Sequence, residues 1–276
     1  MTDEPEVVDC WVNAPIGEPD PSAAYLFPGL AERWGREVSP AQMVDEMNAA
    51  GVAKAVLVSG WGPVDSVPWV KAALKAYPDR FAGSHIVDPR EGLKALHRIN
   101  DLVRNEGYRL IRMLGFVVQQ SYGEAVYYPV YAKCAELGVP VGVNVGIPGP
   151  RVPSRCQDPF PLDEVCCHFP ELTVIMSHGG EPWEELCVKL MLKWPNLFYM
   201  TSAFAPKYYP KAIMNYLNTR GSDRILWASD HPVIPFQRRL AEMPNVAFRD
   251  EATKAKFLGG NAKRLIFEGA PVSASR

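Results

Sequence analysis

No run of apolar residues in this chain approaches the ~18 needed to cross a bilayer as a helix. Charge of one sign is not in excess either. Lys+Arg 29 against Asp+Glu 31 leave a net charge of −2, so there is no electrostatic footprint for nucleic acid or an anionic membrane surface. The opening Met1–Glu6 is acidic and lacks the basic flank and apolar stretch of a signal peptide, and a cytoplasmic location is expected. Cysteine occurs six times (Cys10, Cys134, Cys156, Cys166, Cys167, Cys187) but never as C-x-x-C. Free thiols are therefore expected, in a chain of 276 residues too large to need disulfide staples. No Gly-rich phosphate loop follows the first strand-like run, which ends Asn13-Ala14-Pro15-Ile16-Gly17; this argues against a doubly wound dinucleotide fold.

What is present is ordinary for a globular domain: 47% hydrophobic and 22% charged residues. Proline is the exception, with 26 residues, about twice the usual share, many in loops that follow strand-like runs. Eight such runs stand out: Val7–Asn13, Ala53–Ser59, Phe81–Asp88, Arg109–Leu114, Pro140–Gly146, Leu172–His178, Leu197–Ser202 and Ile225–Asp230. Most are nearly continuous in apolar residues, as strands of a parallel sheet buried on both faces must be. Helical periodicity lies between them, clearest from Ser39, a predicted N-cap with Pro40 at the first position and Gln42 completing a capping box, to a stop at Gly51. Further helices are predicted around 67–76, 91–105, 125–137, 162–169, 183–193 and 211–219. Strand and helix alternating eight times without a domain-sized linker predicts a single-domain (β/α)8 TIM barrel over residues 1–268, with a frayed tail over 269–276.

Reactive groups of such a barrel come from the C-terminal ends of its strands. Those ends carry Trp11 and Asn13, Trp61, His85 and Asp88, Arg112, Asn144, His178, Thr201 and Ser202, and Asp230 and His231. So polar a set at the ends of apolar strands reads as an active site. Arg112 and an aromatic mouth (Trp11, Trp61, Trp183, Tyr122) suit a flat anionic ligand by charge pairing and stacking.

Four motifs, Val87-Asp88-Pro89-Arg90, Ser177-His178-Gly179-Gly180, Ala228-Ser229-Asp230-His231-Pro232 and Gly260-Asn261-Ala262-Lys263-Arg264-Leu265-Ile266-Phe267, occur in this order at barrel spacing. Together they resemble the amidohydrolase superfamily, in the branch of aminocarboxymuconate-semialdehyde decarboxylase, γ-resorcylate decarboxylase and 2-pyrone-4,6-dicarboxylate lactonase. The resemblance implies an enzyme acting on a small carboxylated ring or ring-cleavage product, and a possible homodimer. The chain departs from that pattern where a metal would bind. The family's His-x-His at the end of strand 1 is Trp11-Val12-Asn13 here, and the usual His of strand 5 is Asn144. Only His178 and Asp230 remain as ligands, too few for a site that normally needs three.

The expectation is a metal-independent hydrolase or lyase without cofactor. Asp230 serves as general base and His178 as charge-stabilising donor, with substrate contacts from Arg112, Trp11, Asn13, Asn144, His85 and Trp61. The alternatives are a Zn2+- or Mn2+-dependent decarboxylase, whose site through His178 and Asp230 is rebuilt with His85, His231 or Asp88, and a non-catalytic ligand-binding barrel. No nucleic-acid or membrane partner is expected.

Overall fold

The computed structural model describes residues 5–14, 26–34, 37–60 and 65–269. Eight parallel strands pair in chain order: β1 (Val7–Asn13), β2 (Val52–Ser59), β3 (Phe81–Ile86), β4 (Tyr108–Met113), β5 (Val141–Asn144), β6 (Val174–Ser177), β7 (Leu197–Met200) and β8 (Ile225–Leu226). The eight principal helices between and after them are α1 (Pro40–Ala50), α2 (Val67–Ala76), α3 (Leu93–Asn105), α4 (Tyr128–Leu137), α5 (Leu162–His168), α6 (Glu184–Lys193), α7 (Lys211–Leu217) and α8 (Phe236–Ala241). The fold is the expected (β/α)8 barrel. The predicted frayed tail lies, from residue 270 onward, outside the described residues.

Strand alternation divides the apolar residues into two cores. Val8, Val56, Val58, Ala82, Leu110, Ile175, Phe198 and Leu226 fill the barrel interior. Their outward neighbours, such as Ala55, Leu57, Ile111, Val143 and Tyr199, pack under the helices. Both strand faces are thus withdrawn from water, which is why the strands read as continuous apolar runs. Helix α1 starts as its sequence dictates. Ser39 accepts from the Gln42 amide, Gln42 accepts in return from the Ser39 amide, and Gly51 ends the helix at φ 76°.

The barrel closes between β1 and β8, and that seam is irregular. Cys10 N donates to Trp227 O (3.2 Å), Asp230 N to Trp11 O (3.0 Å) and Asn13 N to His231 O (2.8 Å). The register of β1 against β2 shifts between Asp9 and Val12. Such a bulge re-aims side chains. Here Cys10 and Trp11, adjacent in sequence, both join the interior cluster. A short helix, Leu30–Trp34, latches onto the turn after β8 through Arg33, which donates to Pro232 O (3.0 Å) and Val233 O (3.1 Å).

Candidate active site

At the C-terminal end of the barrel a hydrogen-bonded chain runs from β1 to β8. The Trp11 indole N–H donates to Asn13 Oδ1 (3.0 Å), which turns the carboxamide so that Asn13 Nδ2 donates to Asp230 Oδ1 (2.9 Å) and His231 O (3.1 Å). Trp11, Asn13 and Asp230 are all buried. Burial pushes the Asp230 carboxyl up to about 7, against the opposing pull of the Asn13 hydrogen bond and the Arg239 charge. The carboxylate does not cap the segment after Pro232; its side-chain bond goes to Asn13.

His178 meets this group through Trp11, with ring centroids 4.2 Å apart. Its backbone N–H donates to Ser202 Oγ (3.3 Å), and Nδ1 is buried with no partner among the described residues. Burial, then the Arg112 charge, lower the imidazole to about 3, so the ring is neutral at physiological pH. His178 (φ 67°) and Asp230 (φ 69°) both lie in the left-handed region, where a residue with a side chain costs about 1–3 kcal/mol.

Arg112 sits lower than a substrate-binding arginine would. Its guanidinium lies 3.8 Å from the centroid of the Trp11 ring, and it is buried in the barrel interior. Nε donates to Ser84 Oγ (2.7 Å) and Nη2 to Cys10 O (2.7 Å), while Nη1 reaches Ser177 Oγ (3.5 Å). Gly142 leaves it room; a Cβ there would stand 3.2 Å from Arg112 Cγ. Trp11 therefore lies between a cation over its ring and a tilted imidazole, and Arg112 shows the mouth its charge rather than a hydrogen-bonding edge. Asn144 ends β5, buried, on the same inward face as Gly142 two residues before it. Tyr122, expected as part of the mouth, is instead a buttress. It is fully buried, donates to Asn144 O (2.6 Å) and accepts from Gly115 N (3.0 Å).

Several expected contributors are not brought to this site. His85 faces outward into the layer between sheet and helices, where Nδ1 lies 2.9 Å from Ser59 Oγ and the ring abuts Tyr108; burial lowers it to about 4. His231 stacks on Phe236 (3.9 Å) and approaches Glu46 (3.4 Å). Asp88 is held by Arg90 (2.6 Å). Trp61 lies outside the described residues. Sequence reasoning missed Glu181. This half-buried carboxylate folds over Gly179, where a Cβ would collide with its Oε2 and with the Phe204 ring, and burial raises it above the usual carboxylate range. Its signal was the pair Gly179-Gly180 just before it.

Residues 8–267 match the amidohydrolase family. The chain belongs to the amidohydrolase family. No curated protein matches it. Among solved structures it is similar to an uncharacterised TIM-barrel protein of Bordetella bronchiseptica, at 24% identity and a TM-score of 0.78, covering 96% of this chain and 99% of that one. A probable 2-pyrone-4,6-dicarboxylic acid hydrolase of Acinetobacter baumannii, with citric acid bound, matches at 14% identity and a TM-score of 0.67 over 94% of this chain and 98% of that one. A dihydroxybenzoic acid decarboxylase of Polaromonas, with bound manganese and 2-nitroresorcinol, matches at 16% identity and a TM-score of 0.67 over 95% and 96% of the respective chains. At these identities the likeness shows the fold.

The donor set of this amidohydrolase does not fit the manganese held by that relative. An indole cannot ligate, and the Asn13 carboxamide turns its N–H, not its oxygen, toward Asp230. Among the described residues no group of three or more His, Cys, Asp or Glu could hold a metal ion.

Proposed function

We propose that this amidohydrolase hydrolyses a small carboxylated ring compound, of the 2-pyrone dicarboxylate kind, without a metal ion. The observation that carries the reading is the Asn13 N–H on Asp230, which puts a neutral donor where the family places a metal-binding strand end. A general base works best with a pKa near the working pH, and Asp230, held at about 7, meets that requirement. In this reading Asp230 takes a proton from the attacking water while Asn13 fixes the orientation of its carboxylate. Neutral His178, unable to protonate near pH 7, gives a ring N–H to the oxygen on which charge develops; Asn144 gives a second N–H. Arg112 supplies positive charge beneath the indole and draws the substrate carboxylate to the mouth, and Trp11 holds His178 beside it.

The test is turnover of 2-pyrone-4,6-dicarboxylate and related small-ring lactone carboxylates in the presence of EDTA, by wild type and Asp230→Asn. The reading expects chelator-resistant hydrolysis that falls by about a hundredfold or more in the isosteric variant, whose melting temperature stays close to wild type. Release of carbon dioxide from a dihydroxybenzoate, restored only by added manganese, would instead favour a metal-dependent decarboxylase. An active Asp230→Asn protein would remove Asp230 from the mechanism.

A further inference from the structure

Two buried charges that the mechanism above leaves unused stand behind the mouth, on the outer side of the β7–β8–β1 seam. Asp9 is fully buried, and its Oδ1 accepts two backbone N–H groups, from Trp11 (3.0 Å) and Ser229 (2.9 Å). Arg239 of α8 is also fully buried, and its Nη2 donates to two backbone carbonyls, Thr201 O (2.8 Å) and Ala228 O. Its charge is near enough to favour the ionised form of Asp9. The Tyr209 ring, 5.5 Å from the guanidinium, packs against it.

Burying a carboxylate and a guanidinium costs several kcal/mol each, more than four ordinary hydrogen bonds return. An apolar pair would stabilise the fold at least as well if packing were the purpose. The positions of the held groups suggest another purpose. Trp11 is the central ring of the site. Ala228 and Ser229 lead directly into the left-handed Asp230, and Thr201 precedes Ser202, whose hydroxyl takes the His178 N–H. These backbone groups lie beside the β1 register shift and beyond the short ladder of β8, which ends at Leu226. Side chains have to supply the bonds that a regular sheet would provide.

We propose that Asp9 and Arg239 are positioning residues, a buried clamp that sets Trp11 and Asp230 in place from outside the barrel. It rests on the reading above only in treating Trp11 and Asp230 as the working face. The test therefore measures position and not turnover, so its failure would leave the hydrolytic proposal standing.

The experiment is 19F NMR of protein labelled with 5-fluorotryptophan, the Trp11 signal being assigned by its loss in Trp11→Phe. Asp9→Asn keeps the acceptor oxygen and removes the charge; Asp9→Leu removes both. The clamp predicts a wild-type Trp11 signal in Asp9→Asn and a displaced or broadened one in Asp9→Leu, with the tryptophan signals outside the seam, Trp69 and Trp194 among them, unmoved. Amide exchange at Ser229 should rise by roughly tenfold or more in Asp9→Leu alone. A purely structural role would lower the melting temperature without singling out Trp11. If Asp9→Leu does not fold, Arg239→Lys decides the matter. Its ammonium keeps the charge but ends one bond short of Nη2, the nitrogen that makes both carbonyl bonds, and the Trp11 signal should move. A Trp11 signal unchanged in Asp9→Leu or, should that protein not fold, in Arg239→Lys would overturn the clamp. So would a displacement as large in Asp9→Asn as in Asp9→Leu.

Discussion

At the scale of single residues, burial moves four groups away from their ordinary titration ranges, and their effects on stability oppose one another. Burial raises Asp230 to about 7 and Asp9 to about 6, and it lowers His178 to about 3 and His85 to about 4. A raised carboxyl stabilises the fold below its unfolded value, and that contribution is lost as pH rises through the folded value. A lowered imidazole acts the other way: stability is lost as pH falls below 6.5 toward the folded value. Between about pH 4.5 and 6 the folded state keeps two carboxyl protons while the unfolded state gains two imidazole protons, so the slopes cancel. Urea unfolding across that window should show nearly constant stability for these groups. In Asp230→Asn one opposing proton is gone, and stability should rise with pH by about 1.4 kcal/mol per unit. An identical slope in both proteins would contradict the buried, protonated Asp230. The sequence revealed these residue types at strand ends, but not the face each takes. Ser84 points inward to Arg112 and His85 outward to Ser59, and a one-residue difference in register reverses that assignment.

At the scale of elements, the sequence was most legible where the signal was local. The Ser39–Gln42 capping box and the full extents of β1 and α2 appear as predicted. Strands β5 to β8 are shorter than predicted, since the chain leaves the regular ladder at Val145, His178, Thr201 and Trp227. Helix α8, which carries Arg239, and the terminal stretch Glu251–Ala255 with its wide turns Lys256–Gly260 and Lys263–Phe267 were not foreseen. A six-residue helix shows too little periodicity to be read, and the terminal stretch carries a family motif but no clear helical period. The Gly179-Gly180 turn carries the sharpest prediction at this scale. Gly179 adopts φ 87°, and an added Cβ would strike Glu181 and Phe204. Gly179→Ala should therefore destabilise the fold by about 1–3 kcal/mol and displace His178. Denaturation and the 13C-labelled His178 resonance would show it, and a variant as stable as wild type with an unmoved resonance would contradict the close approach.

At the scale of the whole molecule, the barrel was legible because strand, helix and loop signals agreed along the entire chain. What was not legible is the seam, since a bulge in β1 and a short β8 have no strong sequence mark. The proposed chemistry rests on that seam, which brings Trp11, Asn13 and Asp230 into one hydrogen-bonded chain. Because Asn13 bonds Asp230 and Trp11 abuts His178, Trp11→His with Asn13→His should rebuild a ligand pair beside His178 and Asp230 and raise zinc affinity at least roughly tenfold by calorimetry. No gain would mean that the end of β1 does not face those two residues. The central claim, a working site without metal, is tested most directly by elemental analysis of the purified native protein. The account predicts far less than one equivalent of any transition metal. Stoichiometric zinc or manganese, removed by a chelator together with turnover, would contradict it.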